Sequence, residues 1–188
     1  MTEQEVLEIF RQTGALLEGH FVLRSGLHSR QYFQCALAFQ QMPIVEKVGA
    51  ALAEKIRHLN PATVVAPAMG GLVLGQEVAR QLRCRFIFVE KEGGKLALRR
   101  GFRISREERL LVVEDVVTKG GRVQETMDIV RRDGGLVLAV AVAVDRSNGE
   151  VNLGVPLFSL LSLAVEAFEA NKLPPDLAAV PVEKPGSK

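Results

Sequence analysis

Residues 110–126 read LLVVEDVVTKGGRVQET and combine the marks of a strand, a turn and a helix start. A continuously apolar run, predicted as a strand over residues 110–113, ends in two adjacent acids, Glu114 and Asp115. A turn of small and polar residues follows, and a helix is predicted over residues 122–132. Because so apolar a run suits a strand that helices cover on both faces, the stretch predicts one unit of a parallel α/β sheet.

The same alternation of short apolar runs and helical periods extends along most of the chain. Further strands are predicted over residues 63–68, 86–89 and 136–144, and further helices over residues 44–59 and 72–82. This order predicts an α/β fold with a doubly wound, mostly parallel sheet and helices on both faces.

Both ends of the chain predict additional elements. Thr2 and Glu5 form a capping-box pattern, which is followed by apolar residues at roughly helical spacing: Val6, Leu7, Ile9, Phe10 and Leu17. Towards the other end, an edge strand is predicted over residues 156–163, a short helix over residues 163–170 and a frayed tail over residues 183–188.

Length and composition predict a single domain over residues 1–188. Of the 188 residues, 47% are hydrophobic and 24% are charged, and the net charge of +2 argues against non-specific nucleic-acid binding. The longest apolar run, residues 136–144, is shorter than the ~20 residues of a membrane helix, and the acidic N-terminus has no leader pattern. Cys35 and Cys84 are far apart in sequence and belong to no metal-binding motif, which is typical of a protein in a reducing compartment. Together these features predict a cytoplasmic protein without nucleic-acid or membrane partners.

Glycines or charges follow three of the predicted strands. The segments are MGG at residues 69–71, EDVVTKGG at residues 114–121 and DRSNG at residues 145–149. Ligands of open α/β sheets bind beyond the carboxyl ends of the strands, so these three segments are expected to line one site.

The turn at residues 118–121 has the properties of a phosphate cradle. Gly120 and Gly121 let the backbone approach a ligand closely, and the following helix directs free N–H groups at the turn. An isolated pair of acids at the edge of a sheet is most simply explained as residues that cap a helix. With the turn attached, Glu114 and Asp115 are better explained by a ligand that also carries vicinal hydroxyls and a divalent cation. The pattern predicts a sugar phosphate with Mg²⁺.

VVEDVVTKGG, residues 112–121, resembles the phosphoribosyl pyrophosphate (PRPP) signature of type I phosphoribosyltransferases. Three further stretches resemble orotate phosphoribosyltransferases: GHFVLRSGLHSRQYFQC from Gly19, APAMGGLVLG from Ala66 and DRSNG from Asp145. The resemblance implies a type I phosphoribosyltransferase fold. In it, residues 61–150 form the core PRPP-binding sheet, while residues 1–40 and parts of the C-terminus form a small hood over the base.

The resemblance also implies a role for each matching residue. It assigns catalysis to Lys91, Lys95 and Asp115, and orotate binding to Thr118, Arg146, Tyr32 and Phe33. It assigns PRPP binding to Glu114, Asp115, Val116, Val117, Thr118, Lys119, Gly120, Gly121 and Arg122, with Lys91, Arg24, Met69 and Gly70. Mg²⁺ is expected near Glu114 and Asp115, held mainly through substrate and water. The family further implies a homodimer with shared active sites.

Two departures from the family pattern concern the basic residues. Met69 and Gly70 stand where many members have Tyr-Lys, and the loop over residues 90–100 is shorter, has Glu90 where Arg is common and contains no His. Gly93 and Gly94 beside two lysines suit a lid over the leaving pyrophosphate, although a plain solvated hairpin has the same composition.

The expected activity is the Mg²⁺-dependent transfer of the phosphoribosyl group from PRPP to orotate, giving orotidine 5′-monophosphate and pyrophosphate in pyrimidine biosynthesis. The planar guanidinium of Arg146 suits the carboxylate of orotate, which purines lack. The alternatives are a purine phosphoribosyltransferase, which would not need Arg146, and a PRPP-sensing regulator without catalysis.

Overall fold

The computed structural model describes residues 1–23, 26–163 and 166–184. Its helices are α1 (Glu3–Gln12), α2 (Cys35–Phe39), α3 (Met42–Ile56), α4 (Gly70–Leu82), α5 (Gly121–Arg132) and α6 (Pro175–Ala178), with a 3₁₀ turn over Arg57–Leu59. Its strands are β1 (Leu16–Val22), β2 (His28–Phe33), β3 (Thr63–Pro67), β4 (Arg85–Glu92), β5 (Lys95–Leu98), β6 (Arg109–Val117), β7 (Leu136–Asp145), β8 (Leu157–Ser162), β9 (Ala167–Phe168) and β10 (Val182–Glu183).

The larger sheet has the strand order β5-β4-β3-β6-β7-β8. All of its neighbours pair in parallel except β4 and β5, which form an antiparallel hairpin at one edge. Helices α3 and α4 pack on one face through residues such as Leu52 and Leu74, while α5 covers the other face through Val123 and Met127. The predicted α/β sheet with helices on both faces is confirmed.

A second, smaller sheet joins the two ends of the chain. Its order is β10-β1-β2-β9, so the N-terminal hairpin lies between two short C-terminal strands. Phe33 at the end of this hairpin packs edge-to-face on Phe10 of α1, with ring centroids 5.5 Å apart. The hairpin is thereby fixed to the main core, and its role as a hood over a base stays a prediction.

The structure corrects the predicted ends of two elements. Strand β6 continues to Val117, so Glu114 and Asp115 lie within the strand instead of after it. Four valines around the acids favour the extended backbone, and Glu114 pairs with Val142 of β7. Helix α1 ends at Gln12, and Leu17 belongs to β1.

The short helix predicted over residues 163–170 is wrong. Ala167 and Phe168 form β9 and pair with Ser29 and His28 of β2, because backbone pairing with a distant strand outweighs a weak local helical pattern. The predicted tail begins inside β10, where Glu183 pairs with Phe21, and residues 185–188 lie outside the described part of the chain. No described helix is long and apolar enough to cross a bilayer.

Candidate active site

The acid pair of β6 lies against the first residues of α4. A Cβ atom on Gly70 would lie 2.8 Å from Asp115 Oδ1, and one on Gly71 would lie 2.7 Å from the carbonyl oxygen of Val113 and 3.0 Å from Glu114 Oε1. Only glycine allows helix and strand to come this close. The structure thus brings two of the segments expected to line one site into direct contact.

Burial raises the pKa of both acids of this pair. Glu114 is 7% exposed, and its burial, together with the neighbouring charge of Asp115, holds its pKa well above the usual value. Burial also raises the pKa of Asp115, although the hydrogen bond with Glu114 opposes this shift. The Val116 N–H donates to Asp115 Oδ1 at 2.8 Å. The pair therefore holds a proton more readily than two free acids, which reduces its repulsion of an anionic ligand.

The turn after β6 leads directly into α5. Gly120 is the N-cap of α5, with φ of 73° and no side-chain cap, and the first turn of the helix contains no acid. The helix therefore presents unpaired N–H groups and an uncompensated dipole to the turn. A cavity of about 490 Å³ opens here and is lined by residues 118–121 and 150–153 with Gln124 and Ser147.

Arg146 occupies the space between this edge of the sheet and β2. Its guanidinium lies over the ring of Phe33, 5.6 Å from the centroid, and Nη2 donates to the Gln31 carbonyl oxygen at a long 3.5 Å. The Nε atom is buried and has no hydrogen-bond partner within the described residues. Burial lowers the pKa of Arg146, so an anion in contact with it would relieve an unfavourable position.

Tyr32 completes this part of the site. Partial burial raises the pKa of the Tyr32 hydroxyl, and the charge of Asp115 raises it further, while Arg146 opposes the shift. The charges of both Asp115 and Arg146 therefore act on the Tyr32 hydroxyl. Phe33, unlike Tyr32, is buried in the core, and the face of its ring contacts the guanidinium of Arg146.

Known proteins of one family resemble this chain over its whole length. A family model described as a phosphoribosyl transferase domain matches residues 37–174. The orotate phosphoribosyltransferase of Caldicellulosiruptor bescii is 46% identical over 100% of this chain and 99% of the relative. That of Pelotomaculum thermopropionicum is 47% identical over 100% of this chain and 99% of the relative. The chain belongs to the orotate phosphoribosyltransferase family.

The fold supports the same assignment. The crystal structure of orotate phosphoribosyltransferase from Aeropyrum pernix matches with a TM-score of 0.72 and 26% identity, covering 84% of this chain and 93% of that chain. The resemblance predicted from residues 112–121 and the type I phosphoribosyltransferase fold are both confirmed.

The β4–β5 hairpin carries the two lysines predicted as catalytic. Lys91 pairs with Leu96, and Lys95 pairs with Glu92, so the two lysines extend from opposite faces of the hairpin. Neither lysine lines the cavity at the phosphate turn. Their catalytic roles stay predictions, and in this arrangement the two cannot contact one ligand from the same face.

Contacts with the core hold the hairpin in place. Leu96 is 6% exposed, and its N–H donates to Glu125 Oε1 of α5 at 2.6 Å. Glu90, which stands where the family commonly has Arg, accepts two hydrogen bonds from Arg100 at 2.8 and 3.0 Å. Arg100 lowers the pKa of Glu90. Because Arg100 is paired with Glu90, its charge is not free to bind a ligand.

The remaining predicted PRPP residues occupy varied positions. Arg24 lies outside the described residues. Met69 is 79% exposed at the start of α4, and Thr118 and Lys119 are exposed in the turn.

Arg122 is half-buried, 3.8 Å from Glu125, and its charge opposes the raised pKa of Glu114. Val117 is buried, so only its backbone faces the edge of the sheet.

Ser147 and Glu125 are functional candidates for which the sequence predicts no individual role. Ser147 belongs to DRSNG, a segment from which only the arginine was selected, while Glu125 is an acid on a helix without a distinguishing pattern. Ser147 is buried at the phosphate cavity, and Glu125 anchors the hairpin. The position of Ser147 beside Arg146 was the available signal for the first, and no sequence signal pointed to the second.

Proposed function

We propose that this chain transfers the 5-phosphoribosyl group of PRPP to orotate, giving orotidine 5′-monophosphate and pyrophosphate. Membership of the orotate phosphoribosyltransferase family supports the reaction type and a place in pyrimidine biosynthesis. The observation that carries the choice of base is Arg146, a largely buried cation whose Nε has no partner within the described residues.

The surroundings of Arg146 favour a planar, negatively charged base. No ion pair to Arg146 occurs among the described residues, so an incoming carboxylate would supply the missing acceptor. Tyr32, whose hydroxyl is influenced by the charges of Asp115 and Arg146, would offer its ring to a pyrimidine. Adenine and hypoxanthine carry no carboxylate and would leave Nε without its acceptor.

The remaining steps follow from the position of the acids. Residues 118–121 would bind the 5′-phosphate through backbone N–H groups, and Asp115 and Glu114 would accept hydrogen bonds from the ribose hydroxyls. The carboxylates would stabilise positive charge on the ribose ring as the bond to pyrophosphate breaks. N1 of orotate then forms the bond to C1′ from the side of Arg146 as the C1′–O bond to pyrophosphate breaks, and the N1 proton passes to the pyrophosphate or to water. Lys91, Lys95 and Arg24 are proposed to neutralise the departing pyrophosphate, each lysine from its own face of the hairpin.

The acid pair also suits Mg²⁺ that arrives with PRPP. Within the described ranges, no three acidic, His or Cys side chains lie close enough to hold a metal together, so substrate oxygens and water would complete the coordination. Glu114 and Asp115 are hard oxygen donors beside the glycine start of α4, where the pyrophosphate is expected. When bound, Mg²⁺ would neutralise charge on the leaving pyrophosphate.

We further propose a cytoplasmic homodimer. Met69 is 79% exposed and Val73 is 39% exposed on the first turns of α4, beside the proposed pyrophosphate site, and a second subunit would cover them. Both cysteines are free, which suits a reducing compartment. Light scattering of the purified protein tests the dimer, and a monomer at working concentrations would contradict it.

A substrate comparison tests the function. The purified chain is mixed with PRPP and Mg²⁺ and with orotate, adenine or hypoxanthine, and the consumption of each base is followed. We expect turnover of orotate alone. Turnover of a purine without orotate would make the chain a purine phosphoribosyltransferase, and PRPP binding without any turnover would make it a sensor.

A further inference from the structure

Ser147 has a buried hydroxyl that forms no hydrogen bond within the described residues. The residue is 6% exposed, and its Oγ atom is buried. A buried hydroxyl without a partner costs stability, and such atoms are uncommon in folded proteins. The only other buried side-chain polar atom without a partner in the described ranges is Nε of Arg146, the preceding residue.

The backbone holds Ser147 firmly in place. Its N–H donates to Asp145 Oδ1 at 2.8 Å, and its carbonyl oxygen accepts from the Glu150 N–H at 2.9 Å. One residue earlier, the Arg146 N–H donates to the Val117 carbonyl oxygen at 2.8 Å, which ties this turn to the end of β6. The backbone of Ser147 therefore has a fixed position at the end of β6.

The cavity that Ser147 lines also contains a helix N-terminus suited to an anion. Ser147 lines the same cavity of about 490 Å³ as Thr118, Gly120 and Gly121, where α5 begins. That helix has twelve residues, no side-chain cap and no acid in its first turn. Lys119 and Glu150 also line the cavity, so its lining side chains carry no net charge, and the N-terminus of α5 adds N–H donors that favour an anion.

We propose that the Ser147 hydroxyl donates a hydrogen bond to the 5′-phosphate of PRPP in the cavity that it shares with the N-terminus of α5. This inference rests on the proposed function and adds a binding residue to it. The adjacent residues Arg146 and Ser147 would then bind the two ends of the product nucleotide, since Arg146 is proposed to bind the base and Ser147 lines the phosphate cavity. One rigid turn would set the distance between base and phosphate.

Binding of ribose 5-phosphate to Ser147→Ala tests the proposal without requiring turnover. A hydrogen bond to a charged group that is lost on substitution should raise the dissociation constant about tenfold, or about 1.4 kcal/mol. Calorimetric titration measures this constant for the wild type, for Ser147→Ala and for Ser105→Ala. Ser105 is exposed in the loop before β6, at the amino end of the sheet, so its substitution should change nothing.

The unliganded protein provides the second readout. Because the hydroxyl has no partner to lose, Ser147→Ala should melt at the wild-type temperature or slightly higher. In turnover assays the KM for PRPP should rise while the KM for orotate stays within about twofold of the wild-type value. An unchanged constant for ribose 5-phosphate, or a lower melting temperature of the free variant, would overturn the proposal even if the wild type turns over orotate normally. If the wild type fails to use orotate, the ribose 5-phosphate titration still decides the role of Ser147.

Discussion

Replacing Arg146 with methionine should stabilise the unliganded enzyme and remove most of its activity on orotate. The substitution keeps an unbranched apolar stem and deletes a guanidinium that is largely buried. In the free protein the guanidinium has only a weak hydrogen bond of 3.5 Å to Gln31 and a contact with the Phe33 ring. Removing a poorly paired buried cation should therefore relieve more free energy than it loses.

The magnitude follows from these contacts. An unsatisfied buried donor costs about 1–3 kcal/mol, whereas the cation–π contact with Phe33 contributes about 0.5–1 kcal/mol. The net gain is about 1 kcal/mol, or about 2–4 °C in the melting temperature of a chain of this length. Truncating one partner of a buried charge pair costs about 2–5 kcal/mol, so kcat/KM for orotate should fall roughly thirtyfold to several thousandfold.

Calorimetric melting without substrate and steady-state kinetics with orotate measure the two effects. Arg131→Met is the matched control, because Arg131 is exposed on α5 and lies 3.9 Å from Asp128 in a weak surface pair. It should change the free energy of unfolding by less than about 0.5 kcal/mol and leave activity intact. A lower melting temperature for Arg146→Met, or a loss of less than about tenfold in kcat/KM for orotate, would refute the assigned role of this side chain.

Three further substitutions address the acid pair and the hairpin. Asp115→Asn should lower kcat by about 10²–10³-fold with an unchanged far-UV circular dichroism spectrum, and an unaltered kcat would place the ribose elsewhere. Glu114→Gln should raise the free energy of unfolding more at about pH 8 than at about pH 4, because burial holds the pKa of Glu114 well above the ~4.3 of the unfolded chain. Protonated Glu114 contributes its full stability below the unfolded-state pKa of ~4.3, and this contribution is lost as pH rises through the native pKa. Denaturant titrations measure the difference in free energy of unfolding between Glu114→Gln and the wild type, and a difference that decreases with rising pH would contradict this explanation. Glu125→Ala should speed hydrogen exchange at the Leu96 N–H, which it frees, whereas Glu125→Gln keeps an acceptor; equal exchange in both would mean that strand pairing alone holds the hairpin.

The central part of the fold could be predicted because its signals are local. Strands β3, β6 and β7 are runs of small and branched apolar residues, and each is buried on both faces. The Thr-Lys-Gly-Gly turn between β6 and α5 combines a glycine at positive φ with a helix start, and both properties belong to the residues themselves. Periodicity and turn chemistry were therefore sufficient to locate this edge of the sheet.

The small sheet could not be predicted in the same way. Strands β9 and β10 have two residues each, and they exist because β2 and β1 present free edges to them. The pairing of His20 with Val182 joins residues from opposite ends of the chain, which no local pattern encodes. The failure of the helix predicted over residues 163–170 has the same cause, since a distant edge competes with a short local preference.

The geometry of the site also depends on contacts between distant segments. The sequence placed glycines at 70–71 and acids at 114–115, but it did not indicate that the missing Cβ atoms make room for the carboxylates. The family resemblance likewise assigned catalysis to both Lys91 and Lys95, although the register of the hairpin places them on opposite faces. The sequence was sufficient to predict which side chains are functional candidates. Only the pairing of the strands shows which of these side chains can contact one ligand.

The unsatisfied atoms of Arg146 and Ser147 give a physical reason to locate ligand binding at this turn. Elsewhere in the described ranges, every buried side-chain nitrogen or oxygen has a hydrogen-bond partner. Poor packing of the whole protein therefore does not explain the two unpaired atoms, Arg146 Nε and Ser147 Oγ. Both exceptions are adjacent in sequence, and the backbone around them is held by hydrogen bonds to Val117 and Asp145. A rigid backbone that keeps two donors unpaired is costly in the free protein, and an anionic ligand with one charge at each end offsets that cost on binding. A nucleotide with a carboxylate on its base and a phosphate on its sugar meets this requirement at both ends, whereas a purine nucleotide meets it at one.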